Sequence, residues 1–108
     1  MTTRPIRQEE IELVSHLLQQ TKDKSRAVSI PTLVSDLLDG GMGSIRFVNE
    51  GERIFGTELI EARYHDQDGV EVSISINLDN NQDLFELDFW KVDFSRLIQY
   101  PKPEQLEM

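Results

Sequence analysis

Apolar and polar residues alternate without a break from Val70 to Leu78, with Val70, Val72, Ile74, Ile76 and Leu78 set against Glu71, Ser73, Ser75 and Asn77. A two-residue period of that kind predicts a strand with one buried face. Upstream, Ile60, Ala62 and Tyr64 alternate with Glu61, Arg63 and His65, and Asp66-Gln67-Asp68-Gly69 between the two runs is a tight-turn sequence. Downstream, Asp79-Asn80-Asn81-Gln82 turns the chain into a third run. The pattern predicts consecutive antiparallel strands at 59–65, 69–78 and 83–90. Register follows from the demand that apolar residues share a face, since a slip of one residue turns every side chain over. Pairing Leu78 with Asp83 meets it, placing Ile76 opposite Phe85, Ile74 opposite Leu87 and Val72 opposite Phe89 on the core side, and Ser73 opposite Asp88 and Ser75 opposite Glu86 on the other. After Phe89 the alternation changes phase, with Trp90, Val92 and Phe94 against Lys91 and Asp93, which predicts a bulge or a crossing onto a new surface.

Near the start, Ile11, Val14, Leu17 and Leu18 recur at helical spacing between Gln8 and Gln20, with Ile6 and Leu13 widening the stripe. Glu9, Glu10 and Glu12 complement the positive helix start, although no Ser, Thr or Asp stands at the cap. Residues 21–29 read as a polar loop. From Ile30 to Val48 two readings compete: a short helix capped by Thr32, or a hairpin of 33–38 and 44–48 turning through Asp39-Gly40-Gly41-Met42-Gly43. The hairpin is favoured, because Ser44-Ile45-Arg46-Phe47-Val48 needs a neighbouring strand. The fold class expected is α+β, an N-terminal amphipathic helix packed on an antiparallel β-meander of about four or five strands, with order along the sheet following the chain.

Composition narrows the picture. With 108 residues, 38% hydrophobic and 29% charged, one domain over 1–108 is expected, with short flexible ends near 1–4 and 101–108. Eleven Lys and Arg against twenty Asp and Glu give a net charge of −9, which disfavours nucleic acid and anionic membrane surfaces as partners. Lys22, Lys24 and Arg26 are interrupted by Asp23 and read as a solvated loop. No Cys is present, so disulfides and thiolate chemistry are excluded. No run approaches the roughly 20 apolar residues of a membrane span, and a cytoplasmic location is expected.

Candidate chemistry is thin. The glycines of Asp39-Gly40-Gly41-Met42-Gly43-Ser44 suggest a backbone anion cradle, but the Lys-Ser or Lys-Thr of a phosphate loop is missing, and positive φ angles alone account for them. Asp79, Asn81 and Asp83 match the start of a calcium loop, yet Leu84 and Trp90 stand where it needs Gly and Glu; Asp66 and Asp68 fail sooner. His16 and His65 offer no metal pair or triad. Glu86 and Asp88 with Glu71 nearby have the look of a glycosidase pair, but an open flat sheet is the wrong place for one. No cofactor, metal or catalytic residue is expected, and the reading is of a protein that is not an enzyme.

The turn Asp39-Gly40-Gly41-Met42-Gly43-Ser44, the Asp68-Gly69-Val70 turn and the close Trp90-Lys91-Val92-Asp93-Phe94 together resemble a small bacterial family of uncharacterised proteins. The resemblance runs over about 4–97 and implies no activity, cofactor or site residue. Arg7 and Gln8 depart from it, standing where a Thr or Ser cap and a Pro are expected.

The expected function is therefore a protein-binding module, of the type of an immunity-like inhibitor, whose partner has a basic surface. Its expected contact residues are Glu71, Glu86 and Asp88 on the acidic strand face, with Met42 in the Gly-rich turn and Trp90 at the phase change. A ligand-binding domain or enzyme using the 39–44 turn, and a self-assembly module pairing through a sheet edge or Trp90, are the alternatives.

Overall fold

The computed structural model describes residues 2–21 and 29–108; most of the expected 21–29 loop, with Lys22, Lys24 and Arg26, lies outside them. Among the described residues the elements are β1 (Arg4–Pro5), α1 (Gln8–Gln19), β2 (Leu33–Asp36), β3 (Ile45–Phe47), β4 (Phe55–His65), β5 (Glu71–Asp79) and β6 (Leu84–Lys91), followed by a short 3-10 helix at Pro103–Gln105. The fold class is α+β with an N-terminal helix, as the periodicity predicts, but the sheet has six strands rather than four or five.

Helix α1 begins without a hydroxyl or Asp cap because Glu10 substitutes for one. Its carboxylate accepts the Arg7 N–H at 2.8 Å, the reciprocal half of a capping box. Both Arg4 terminal nitrogens donate to the same carboxylate, at 2.9 and 2.8 Å, so β1 and the helix start are tied together. The stripe residues Leu13, Val14 and Leu17 are buried against the sheet, each contributing about 1.5–3 kcal/mol by leaving water.

All strand pairs are antiparallel, in the order β1-β2-β3-β6-β5-β4. The hairpin reading of 30–48 is the observed one: Val34 pairs with Phe47 and Asp36 with Ile45. Order along the sheet does not follow the chain, however, because β3 joins β6 instead of β4. Side chains account for that choice. Ile45 lies opposite Leu87 in the core, and Arg46 lies opposite Glu86 with a 3.0 Å ion pair, the opposite-charge match that stabilises neighbouring strands.

Three further expectations are corrected. Strand β4 starts at Phe55, before the expected 59, and its pairing with β5 is irregular between Phe55 and Thr57 and between Glu58 and Ile60. The β5–β6 register is displaced by two residues, so Ile76 faces Leu87, Ile74 faces Phe89, Ser75 faces Asp88 and Ser73 faces Trp90. Between Val72 and Ile76 the two-residue displacement keeps every side chain on its face, but Leu78 pairs with Leu84 rather than Asp83, so Leu84 enters the core where Phe85 was expected. The irregularity between Asn77 and Leu78 lets Phe85 bulge out of the pairing; its ring lies under the guanidinium groups of Arg46 and Arg53, at 4.5 and 5.4 Å. Finally, no phase change occurs at Trp90. Leu87, Phe89 and Lys91 are buried in unbroken alternation, and Trp90 is 49% exposed.

Beyond β6 the chain packs back on the core side, with Leu97, Tyr100 and Leu106 against the buried cluster. The end, expected to be extended or frayed, forms the 3-10 helix and then pairs Glu107 with Arg63 on the outer side of β4 through two 2.7 Å backbone hydrogen bonds.

Candidate functional site

One face of the sheet lies under α1 and the 97–106 segment. Side chains on the other face form cross-strand rows. Ser35, Arg46, Glu86, Asn77 and Glu58 make one row, Asp88, Ser75 and Glu61 the next, and Trp90, Ser73 and Arg63 the third. Of the residues expected to meet a partner, Glu86, Asp88 and Trp90 come together here, and Glu71 lies beyond Ser73 on β5, half-buried. Met42 does not join them. It is buried in the core, 6% exposed, and its sulfur accepts the Lys91 N–H at 3.4 Å.

The face is less uniformly acidic than its sequence suggests. Glu86 is neutralised by Arg46, and Arg63 ends the third row. Asp88 has no cationic partner among the described residues; its closest polar contact is a 3.4 Å hydrogen bond from the Ser44 hydroxyl. Partial burial and then the nearby Glu86 charge raise its carboxyl above the ordinary 3.8, against the Ser44 hydrogen bond.

Trp90 carries a second aromatic beside it. The Phe94 ring packs at 79° to the indole with centroids 4.9 Å apart, and Phe94 is 64% exposed. Its backbone holds φ at 65°, an unfavourable region for a bulky residue, fixed by a 2.9 Å hydrogen bond from the Phe94 N–H to the Lys91 carbonyl.

The Gly-rich turn and the Asp79 turn both have an observed structural occupation. In the Gly-rich turn Gly40, Gly41 and Gly43 have positive φ, and the Asp39 carboxylate accepts the N–H groups of Met42 at 3.1 Å and Ser44 at 2.9 Å. The turn's own carboxylate thus takes the place an external anion would occupy. Asp79 accepts the N–H groups of Asn81 at 2.7 Å and Asp83 at 3.0 Å and pairs with Arg53 at 3.1 Å, closing the β5–β6 turn. Among the described residues no group of three His, Cys, Asp or Glu is placed to hold a metal ion. His16 is half-buried on α1, and His65 is exposed with Nδ1 3.6 Å from Glu107.

At Gly41, where φ is +82°, an added Cβ would meet the Arg96 side chain, with Nε at 3.0 Å and Cγ at 3.2 Å. Gly41→Ala should therefore lose about 1 kcal/mol, the cost of a left-handed backbone for an L-residue. Urea unfolding measures it, and an unchanged midpoint would show that the turn relaxes at no cost.

Sequence reasoning missed the most polar part of the core. Lys91 is fully buried, and its Nζ donates to Asp66 at 2.9 Å, Asp68 at 2.8 Å and the Arg96 carbonyl at 2.9 Å. Asp66 also accepts the N–H groups of Ile98, Gln67 and Gln99. The β4–β5 turn and the 96–99 segment are thus anchored on one ion-paired cluster. Its signal was present: the core alternation Leu87, Phe89, Lys91 continues unbroken, and the turn supplies two carboxylates.

The fold and this face define a small α+β domain with an antiparallel sheet covered on one side only. A family model described as Domain of unknown function (DUF6984) matches residues 3–101, and the chain belongs to that family. No curated protein and no solved structure matches it.

Proposed function

We propose that this domain is a non-enzymatic protein-binding module, an immunity-like inhibitor of a partner with a basic surface, docking on the uncovered sheet face. One observation carries the reading: the helix and the C-terminal segment cover one side of the sheet, while Asp88, Glu71 and an exposed Trp90 stand on the other. Tryptophan and a carboxylate at the centre of such a face supply both contact area and long-range steering. The occupied Gly-rich turn gives the anion-site alternative no comparable support.

The double variant Glu86→Lys/Asp88→Lys tests it. Both groups are partly solvated, so the fold should survive with a loss of about 1 kcal/mol from the Arg46 pair. Wild-type and variant domains, immobilised at low salt and exposed to a lysate of the source cells, should differ in what they retain. Basic proteins held by the wild type and released by moderate salt should be absent from the variant, with association at least about 10-fold slower. Identical retention by the two would move the docking surface elsewhere.

A further inference from the structure

This face already holds one arginine by a repeatable device. The Arg46 guanidinium lies 4.5 Å over the Phe85 ring while its terminal nitrogen pairs with Glu86 at 3.0 Å. Arg53 repeats the combination, 5.4 Å from the Phe85 ring and 3.1 Å from the Asp79 carboxylate. One further aromatic and carboxylate stand together on the face, Trp90 and Asp88, two residues apart on β6 and thus separated by about 7 Å along one strand face. Among the described residues no cation lies over the indole, and none pairs with Asp88.

We propose that Trp90 and Asp88 form a receptor for an arginine side chain of a partner protein, the guanidinium stacking on the indole and pairing with the carboxylate. The inference deepens the docking reading above and rests on it. Ser73, opposite Trp90, is small and only half-buried, leaving lateral room beside the indole for a long side chain. Phe94 holds the indole from one side and leaves it half exposed. Arginine suits the site better than lysine, because a planar guanidinium stacks on an indole and offers paired donors to a carboxylate. The raised carboxyl of Asp88 marks an electrostatic demand that an arriving cation relieves.

Trp90 is the sole tryptophan, so its fluorescence reports the site directly. The probes are hexa-arginine and hexa-lysine peptides at low salt. Hexa-arginine should change the Trp90 emission and bind roughly 5-fold more tightly than hexa-lysine, with the preference abolished in Asp88→Asn. Calorimetry on Trp90→Leu, which removes the indole at an exposed position, should show hexa-arginine reduced to the hexa-lysine level. Equal binding of the two peptides without a change in emission would overturn the receptor while leaving an acidic docking face. Failure of both peptides to bind at low salt would overturn the docking reading as well.

Discussion

Lys91→Met should lower the thermal midpoint by roughly 15–30 °C, because it removes the cation from a buried cluster and leaves the fully buried Asp66 carboxylate without it. The methionine fills similar volume, so the loss is electrostatic and hydrogen-bonding in origin. The same cluster sets the pH dependence. Burial pushes Asp66 up, but the hydrogen bonds from Ile98, Lys91, Gln67 and Gln99 together outweigh it and hold the carboxyl below the ordinary 3.8. Asp79 is held down in the same way by Asp83, Arg53 and Asn81. A depressed carboxyl contributes stability that is full above the unfolded value and lost as pH falls through the folded one. The Lys91 amine, raised above 10.5 by Asp68 and Asp66 against the effect of burial, contributes stability that is lost only as pH rises beyond that value. The midpoint should therefore be level across neutral pH and fall below about pH 4. In Lys91→Met the acid-side fall should begin at higher pH, since Asp66 has lost its cation. Melting curves followed by circular dichroism across pH decide this; a variant that melts with the wild type would show the cluster to be solvated.

Phe89→Ala should cost about 3–5 kcal/mol, the range for emptying a large aromatic site in a close-packed core. Phe89 is 1% exposed, faces Ile74 across the strand pair and stacks on Tyr100 at 5.4 Å. Its ring also lies 3.6 Å from the position a Cβ on Gly43 would take, so the site borders the Gly-rich turn. Strand β5 on one side and, on the other, the turn held to Phe89 by Ser44 limit collapse of the cavity. Urea unfolding should show a lower midpoint with an unchanged slope. The same truncation one residue on, at Trp90, should cost far less, because that side chain is on the opposite, uncovered face. Equal losses at the two positions would contradict the assignment of faces.

The faces were legible because each is written in a two-residue period. Val72, Ile74 and Ile76 could be assigned to the core from alternation alone, and register errors of two residues leave that assignment intact. The register itself was not legible, since the bulge at Phe85 depends on Arg46 and Arg53 arriving over its ring from elsewhere in the chain. For the same reason β3 could not be placed: its match to β6 is made by Ile45–Leu87 and Arg46–Glu86, a contact between distant segments. Strand β1 is two residues long and carries no period. Trp90 was misread because an exposed aromatic run beside a buried lysine inverts the usual correspondence between hydropathy and burial. Glu86 and Asp88 were correctly gathered on one face, but the cation neutralising Glu86 was not foreseen.

The junction between β3 and β6 also governs how the structure comes apart. Strands β4, β5 and β6 are neighbours in sequence and close by short turns, whereas β3 meets β6 through only two register pairs and across the whole β4–β5 segment, a closure of higher entropic cost. That seam divides the sheet into a locally stitched meander and an N-terminal hairpin. Opening there also releases the Met42, Ser44 and Gly41 contacts to Lys91, Phe89 and Leu97, but Asp66, Asp68 and Arg96, which hold the Lys91 amine, all lie on the meander's side. The expected order of local opening is therefore β3 and its Arg46–Glu86 row before the Trp90 end of the face, with β3 amides exchanging hydrogen ahead of those of β5.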